Sequence, residues 1–273
     1  MGKGISLETV LYEKQNGIGI IKLNRPERMN AVSETMYREI QDVLKKAETD
    51  KDLRVLIITG SVLKKNEKEK QAFCAGADLK DHSAGNRNYI QRRDYILLAH
   101  ETTYQIYNFP KPVIAAINGP ARGAGAEMAI NCDFIIIANT ATIAFPETGL
   151  GTFVGGGVTS HLPSIIGLSK AKELIYTGKV IDGKTAAALG LALINCPIND
   201  LLDTALRFAC QLAEKAPLSM KLAKSRLQNS RLPDVKSVLK YETEAILSCM
   251  ETEDWHEGIN AFIEKRTPKY KGK

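Results

Sequence analysis

The chain has 273 residues, 44% hydrophobic and 25% charged, with a formal net charge of +6 at pH 7. This length buries a sizeable core as one or two domains and the mix is that of a soluble globular chain; no apolar run nears the roughly 20 residues that cross a bilayer, and the N-terminus lacks the apolar stretch of a secretory signal. The five cysteines are scattered with no Cys-x-x-Cys pair, which indicates neither a disulfide framework nor a thiolate metal site and suits a reducing cytoplasm.

Taken in chain order, an apolar strand is predicted over 18–23, a helix over 33–48 and a second strand over 55–59. The charged segment 64–70 reads as a loop. A helix over 95–108 leads to strand 113–117, helix 124–131, strand 134–138 and helix 169–177. This alternation of strand and helix argues for an α/β fold. From about Pro197 the pattern is helical only, with amphipathic segments over 201–216, 217–230, 235–250 and 255–264. The expected organisation is therefore a core over 1–196 and a helical region over 197–273.

The chemistry lies in the middle of the chain. Val113 to Ile117 is a short apolar run broken by Asn118, Gly119 and Pro120, which reads as a buried strand ending in a turn. Gly123 and Gly125 then open a helix of small residues. The first N–H groups of a helix have no internal partner and its dipole favours negative charge, so this turn suits an oxyanion; tight helix packing explains the same glycines. Ala75, Gly76 and Ala77 form a second small-residue turn that leaves the Ala77 N–H open, and Asp78 is placed to cap the next segment. Cys74, with only His82 nearby in sequence, reads as a small buried thiol rather than a nucleophile.

Glu127 lies on the small-residue helix, where a buried carboxylate must be paired or used. Glu147 follows Pro146, which stiffens the turn that presents it. Either glutamate alone is also explained by a solvated or capping role. Gly151 and Gly155 to Gly157 follow at once, a tightly turning backbone suited to folding over a cavity. Two carboxylates with two open N–H donors fit acid–base chemistry next to a carbonyl whose oxygen becomes an anion.

Four segments in order resemble the crotonase (enoyl-CoA hydratase/isomerase) superfamily: Ile20 to Ala31, Ala72 to Leu79, Lys111 to Gly119 and Glu257 to Arg266. The resemblance runs from about Leu11 to Lys269 and implies a spiral of ββα turns with a helical C-terminal region that makes subunit contacts. It also implies an enoyl-CoA hydratase of acyl-CoA and fatty acid degradation, with Ala77 and Ala124 holding the thioester oxygen and Glu127 and Glu147 as the two carboxylates. Gly155 corresponds to a glycine that helps hold the water. Met29, Ala31, Ala75, Asp78 and Leu79 fall on segments lining the coenzyme A groove. Phe262 and Lys265 correspond to residues that reach the adenine and phosphate end of CoA, often across a subunit boundary within trimers or pairs of trimers. Ala124 stands where glycine is usual, and Phe153 and Val154 depart from the pattern beside the acyl site, which leaves linear, branched and cyclic acyl groups open. Keeping both glutamates favours hydration over an isomerase on the same scaffold, with hydration of a cyclic dienoyl-CoA a further alternative.

The implied partners are an acyl-CoA thioester and further copies of the chain. No metal or redox cofactor is expected, since CoA belongs to the substrate. The basic runs 64–70 and 265–273 read as solvated charge able to attract CoA phosphates. The alternative of another class, an RNA-binding or scaffold member, lacks an aromatic platform beside the charge, so no nucleic acid is expected. Gly2 and Ser6 fit a permissive myristoylation pattern, but a single acyl chain anchors poorly, so no membrane partner is expected.

Overall fold

The computed structural model describes residues 5–65, 68–79, 87–229 and 235–269. The Gly2 pattern, His82, the tip of the 64–70 segment and the end of the basic tail lie outside the described residues.

The chain opens with β1 (Ile5–Ser6), β2 (Val10–Gln15) and β3 (Ile18–Leu23). Then follow α1 (Glu34–Thr49), β4 (Val55–Gly60), the pair β5 (Leu63–Lys65) and β6 (Lys68–Lys70), and α2 (Tyr89–Asn108). The centre holds β7 (Val113–Ile117), β8 (Ala121–Arg122), α3 (Ala124–Ile130), β9 (Phe134–Ala138) and β10 (Thr142–Ala144). Next come α4 (Val158–Ile166), α5 (Leu168–Thr177), β11 (Ile181–Asp182), α6 (Gly183–Ala188) and β12 (Ile194–Cys196). The last elements are α7 (Leu201–Ala213), α8 (Pro217–Asn229), α9 (Val235–Met250) and α10 (Glu253–Glu264).

The main sheet has the order β1-β2-β3-β4-β7-β9-β12. It is antiparallel up to β3 and parallel from β3 onward. Every residue of β4 and β7 is buried, as expected where a parallel sheet is covered on both faces. A smaller sheet, β11-β10-β8, lies beside it. Isolated bridges from Cys74 to Ala121 and from Val32 to Ala77 extend the same pattern to earlier turns. Each turn thus sends one strand into the main sheet, a short one into the second layer, and then a helix: β7-β8-α3 is the clearest case. This spiral stacks the ends of successive turns, which brings segments about fifty and twenty residues apart to one place.

α7 packs across β3, β4, β7 and β9. The apolar core runs without a break from Val10 to Ile259 and includes Leu201, Ala205 and Ala209 of that helix. Sequence reading gave the four central strands within a residue of their observed bounds. It missed β2, the short strands, α6 and α4, whose N-cap Gly157 sits at the end of a glycine run. α2 begins six residues before the predicted 95, fixed by a capping box in which Asn88 and Gln91 exchange hydrogen bonds. The 64–70 segment is a hairpin, with Leu63 opposite Lys70.

Candidate active site

The two small-residue turns meet. Val32 accepts from the Asp78 N–H at 3.1 Å and donates to Gly76 O at 2.8 Å. This parallel bridge directs the N–H of the intervening Ala77 to the opposite side. On the neighbouring turn Gly123 has φ +47, a conformation left to glycine. It hands the chain into α3 with Ala124 first, so the Ala124 N–H has no partner within the helix. No acceptor among the described residues takes either N–H. A Cβ on Gly76 would lie 4.0 Å from Ala124 N and 3.0 Å from Arg122 O, so the turns are in contact. A Cβ on Gly125 would strike Cys74 O, so glycine there lets α3 seat on the first turn. Cys74 itself is fully buried with its thiol pushed up to about 12 by that burial, a packing group rather than a nucleophile.

Both glutamates are buried, at 9% and 7% exposure, and neither pairs with a cation among the described residues. Glu127 Oε1 accepts the Gly155 N–H at 2.8 Å. Burial pushes its carboxyl up to about 7; the Gly155 N–H lowers it, and the carboxylate of Glu242 raises it. Glu147 opens the turn Glu147–Leu150 after Pro146. Its Oε2 is buried without a partner among the described residues, and a Cβ on Gly123 would lie 3.0 Å from its Oε1. Burial, then repulsion from Glu127, holds the Glu147 carboxyl well above the usual range. One site thus holds two buried carboxyls in unequal surroundings, both raised above the usual range: Glu127 on the Gly155 N–H, and Glu147 with its Oε2 unpartnered among the described residues.

The glutamates line a cavity of about 140 Å³ together with Ala75, Ala77, Leu79, Ala124 and Gly155. Its remaining wall is mostly apolar and includes Tyr37, Tyr95, Phe153, Ile246, Met250 and Trp255. The helical region therefore closes the site from α9 and α10. The Tyr37 and Tyr95 rings meet edge to face with centroids 5.8 Å apart, and burial raises both hydroxyls. Phe153 faces the cavity, whereas Val154 turns into the core at 1% exposure.

Other expected residues stand outside that cavity. Asp78 is held by Arg25, whose Nη2 lies 3.0 Å from Asp78 Oδ2 while its Nη1 donates to Ala31 O at 2.8 Å. This pair ties Ala31 and Asp78 into one rigid rim. Met29 accepts the Ala75 N–H at 3.0 Å and adopts φ +53. Phe262 is 58% exposed, and Lys265 is exposed at the end of α10.

Sequence reading missed three groups. His100, 4% exposed, lies against Thr243 Oγ1 at 3.0 Å through Nδ1. A Cβ on Gly155 would lie 3.0 Å from His100 Nε2 and 3.3 Å from both Glu127 carboxylate oxygens. Burial lowers the imidazole to about 4, so it is neutral at pH 7. Glu242 is fully buried. Trp255 enters the cavity from the first turn of α10. A period of 3.6 exposes the first two as polar residues on otherwise apolar helix faces: Leu239, Glu242, Ile246 and Met250 share one stripe of α9.

An apolar cavity with two open N–H donors and two carboxyls in unequal surroundings is suited to acid–base chemistry beside a polarised carbonyl. The family model for enoyl-CoA hydratase/isomerase matches residues 13–273. A short-chain-enoyl-CoA hydratase of Clostridium acetobutylicum is 32% identical over 262 residues, covering 96% of this chain and 97% of the relative. A probable mitochondrial enoyl-CoA hydratase of Dictyostelium discoideum is 36% identical over 265 residues, covering 97% and 91%. The crystal structure of an enoyl-CoA hydratase from Bacillus anthracis superposes with a TM-score of 0.76 at 37% identity, covering 97% of this chain and all of that one. The chain belongs to the enoyl-CoA hydratase/isomerase family and has the crotonase fold.

Proposed function

We propose that the protein hydrates the α,β double bond of an enoyl-CoA thioester. The observation that carries this reading is the unequal carboxyl pair, Glu127 and Glu147, beside the Ala77 and Ala124 N–H groups. A conjugated thioester is a weak electrophile at Cβ. With its oxygen between the two N–H donors, the negative charge that forms on addition is stabilised as it develops; one such donor is worth about 2.7–4 kcal/mol in other enzymes. Glu127 accepts a proton from water while the hydroxyl oxygen bonds to Cβ. Glu147 gives its proton to Cα, which converts the enolate to the saturated thioester. Proton exchange between the two carboxyls then restores the starting state. The two titrate as a pair, so the roles belong to the pair at neutral pH.

CoA is part of the substrate, and the mechanism uses no other cofactor. The exposed Phe262 and Lys265 support the expectation that a neighbouring subunit supplies contacts to CoA, within a trimer or a dimer of trimers. The small apolar cavity favours a short acyl group. The test is a panel of linear, branched and cyclic enoyl-CoA thioesters, followed by loss of the conjugated absorbance without added metal or nucleotide. Turnover of at least one short member is expected. Absence of turnover across the panel sinks the hydratase reading.

A further inference from the structure

Glu242 is a buried carboxylate that this mechanism does not use. It has no accessible surface and, among the described residues, no cation partner, an arrangement that is costly unless hydrogen bonds compensate. Both of its oxygens are engaged by one segment: Oε2 accepts the Gly157 N–H at 2.8 Å and Oε1 accepts the Thr159 hydroxyl at 2.9 Å. Two residues before Gly157, the Gly155 N–H is on Glu127. Between them Asn131 Nδ2 donates to Gly156 O at 2.6 Å and to Glu127 O at 2.7 Å. A Cβ on Gly156 would come within 2.8 Å of Glu127 Cβ. The segment 155–159 is thus pressed against Glu127 on one side and gripped by Glu242 on the other.

We infer that Glu242 is a positioning residue for the hydration reaction: by gripping Gly157 and Thr159 from α9, it holds the Gly155 N–H on Glu127 and so fixes the orientation and charge environment of the base. The inference rests on the hydratase reading of Glu127. The simpler account is that Glu242 only caps α4, since a carboxylate is favoured at a helix N-terminus. Two features go beyond a cap. The grip is continuous, through three residues, with the backbone that holds Glu127. The negative charge of Glu242 also acts on Glu127 directly. The other titratable groups facing this region are His100 of α2, which touches Thr243, His161 of α4, which faces Gly157, Glu127 of α3 and, across the cavity from Glu127, Glu147. Both histidines are lowered to about 4 by burial and stay neutral near pH 7, so the response in that range belongs to the carboxyls: Glu242 and the Glu127–Glu147 pair.

Two variants separate the grip from the charge. Glu242→Gln keeps the shape: its oxygen can accept the Gly157 N–H and its amide can donate to Thr159 Oγ1. It should keep the plateau rate and move the acid limb of the kcat/KM profile to lower pH. Glu242→Ala removes the grip and should lower kcat by about 10²-fold at all pH values, the usual effect of misplacing a catalytic group by about 1 Å, with KM little changed. Thr159→Val removes one arm and should fall between them if Glu242→Ala does not fold. An unmoved acid limb in Glu242→Gln, with full plateau kcat and only a lower melting temperature in Glu242→Ala or Thr159→Val, reduces Glu242 to a helix cap and overturns the inference. If the wild-type chain hydrates no thioester, the hydratase reading fails separately. The carboxyl ¹³C titration of Glu127 then decides the matter: the same titration in wild type and Glu242→Gln overturns the inference, and a downward shift supports the coupling.

Discussion

Replacing Gly155 by alanine tests the site without adding or removing charge. Its backbone is not left-handed, so alanine meets no conformational strain, and the added Cβ acts through space alone. That atom would lie 3.0 Å from His100 Nε2 and 3.3 Å from Glu127 Oε1 and Oε2, closer than ordinary carbon contacts. His100 is pinned to Thr243 at 3.0 Å, so Glu127 gives way and its 2.8 Å bond from the Gly155 N–H is lost or lengthened. A hydrogen bond to a charged group is worth about 1.5–3 kcal/mol. At about 1.36 kcal/mol per tenfold in rate, the loss in kcat is about 10–150-fold. Overpacking adds a stability cost of about 1–3 kcal/mol. KM should change little, because the nearest atoms to the added methyl are those of His100 and Glu127. The assay is enoyl-CoA hydration under saturating substrate, with thermal melting alongside. Gly149→Ala is the control: nothing lies within 4 Å of a Cβ there, and its rate and melting point should match wild type. A Gly155→Ala enzyme with wild-type kcat would refute the claim that this N–H holds a working base.

Burial raises Glu127 and Glu242 from 4.5 to about 7. The folded chain therefore keeps protons that the unfolded chain releases, so stability present below about pH 4.5 is lost as pH rises through about 7; the melting temperature should fall between pH 5 and pH 8, and Glu127→Gln should remove part of that fall. Hydration should lose rate on the acid side of about pH 7 as Glu127 takes up its proton. Removing Arg25 by Arg25→Met leaves Asp78 buried without its cation, at side-chain exposures of 17% and 8% for the pair; the expected cost is about 3–5 kcal/mol by urea denaturation, and Asp78→Leu in the same chain should recover part of it. If Phe262 and Lys265 bind CoA from a neighbouring subunit, Phe262→Ala with Lys265→Ala should raise KM for the thioester and leave kcat close to wild type, and sedimentation should give a multimer; a fully active monomer contradicts that placement.

The four central strands were legible because each is a mostly apolar run ended by a turn: Val113 to Ile117 before Asn118-Gly119-Pro120 is the type. The second-layer strands were not, since Ala121–Arg122 and Thr142–Ala144 hold too few residues to show a period. The glutamates and the small-residue turns could be singled out by residue type. What brings them together could not: the bridge from Cys74 to Ala121 joins segments with no shared pattern. Asp78 read as a groove residue or a cap, and its partner Arg25 lies fifty-three positions away. His100 and Glu242 carried a local signal, a polar residue on a buried helical stripe, but only the fold shows which site each one faces.

The most direct test of the account is the hydration rate of a short enoyl-CoA by wild type, Glu127→Gln, Glu147→Gln and the double variant. Glutamine keeps the shape, so the fold and CoA binding survive. Each single change should lower turnover by about 10²–10⁴-fold, the range for a positioned acid or base. The double variant should lose far less than the product of the two, because both groups act in one addition. Near wild-type hydration by Glu127→Gln removes that residue from the mechanism, and losses that multiply in full contradict a pair acting as one unit.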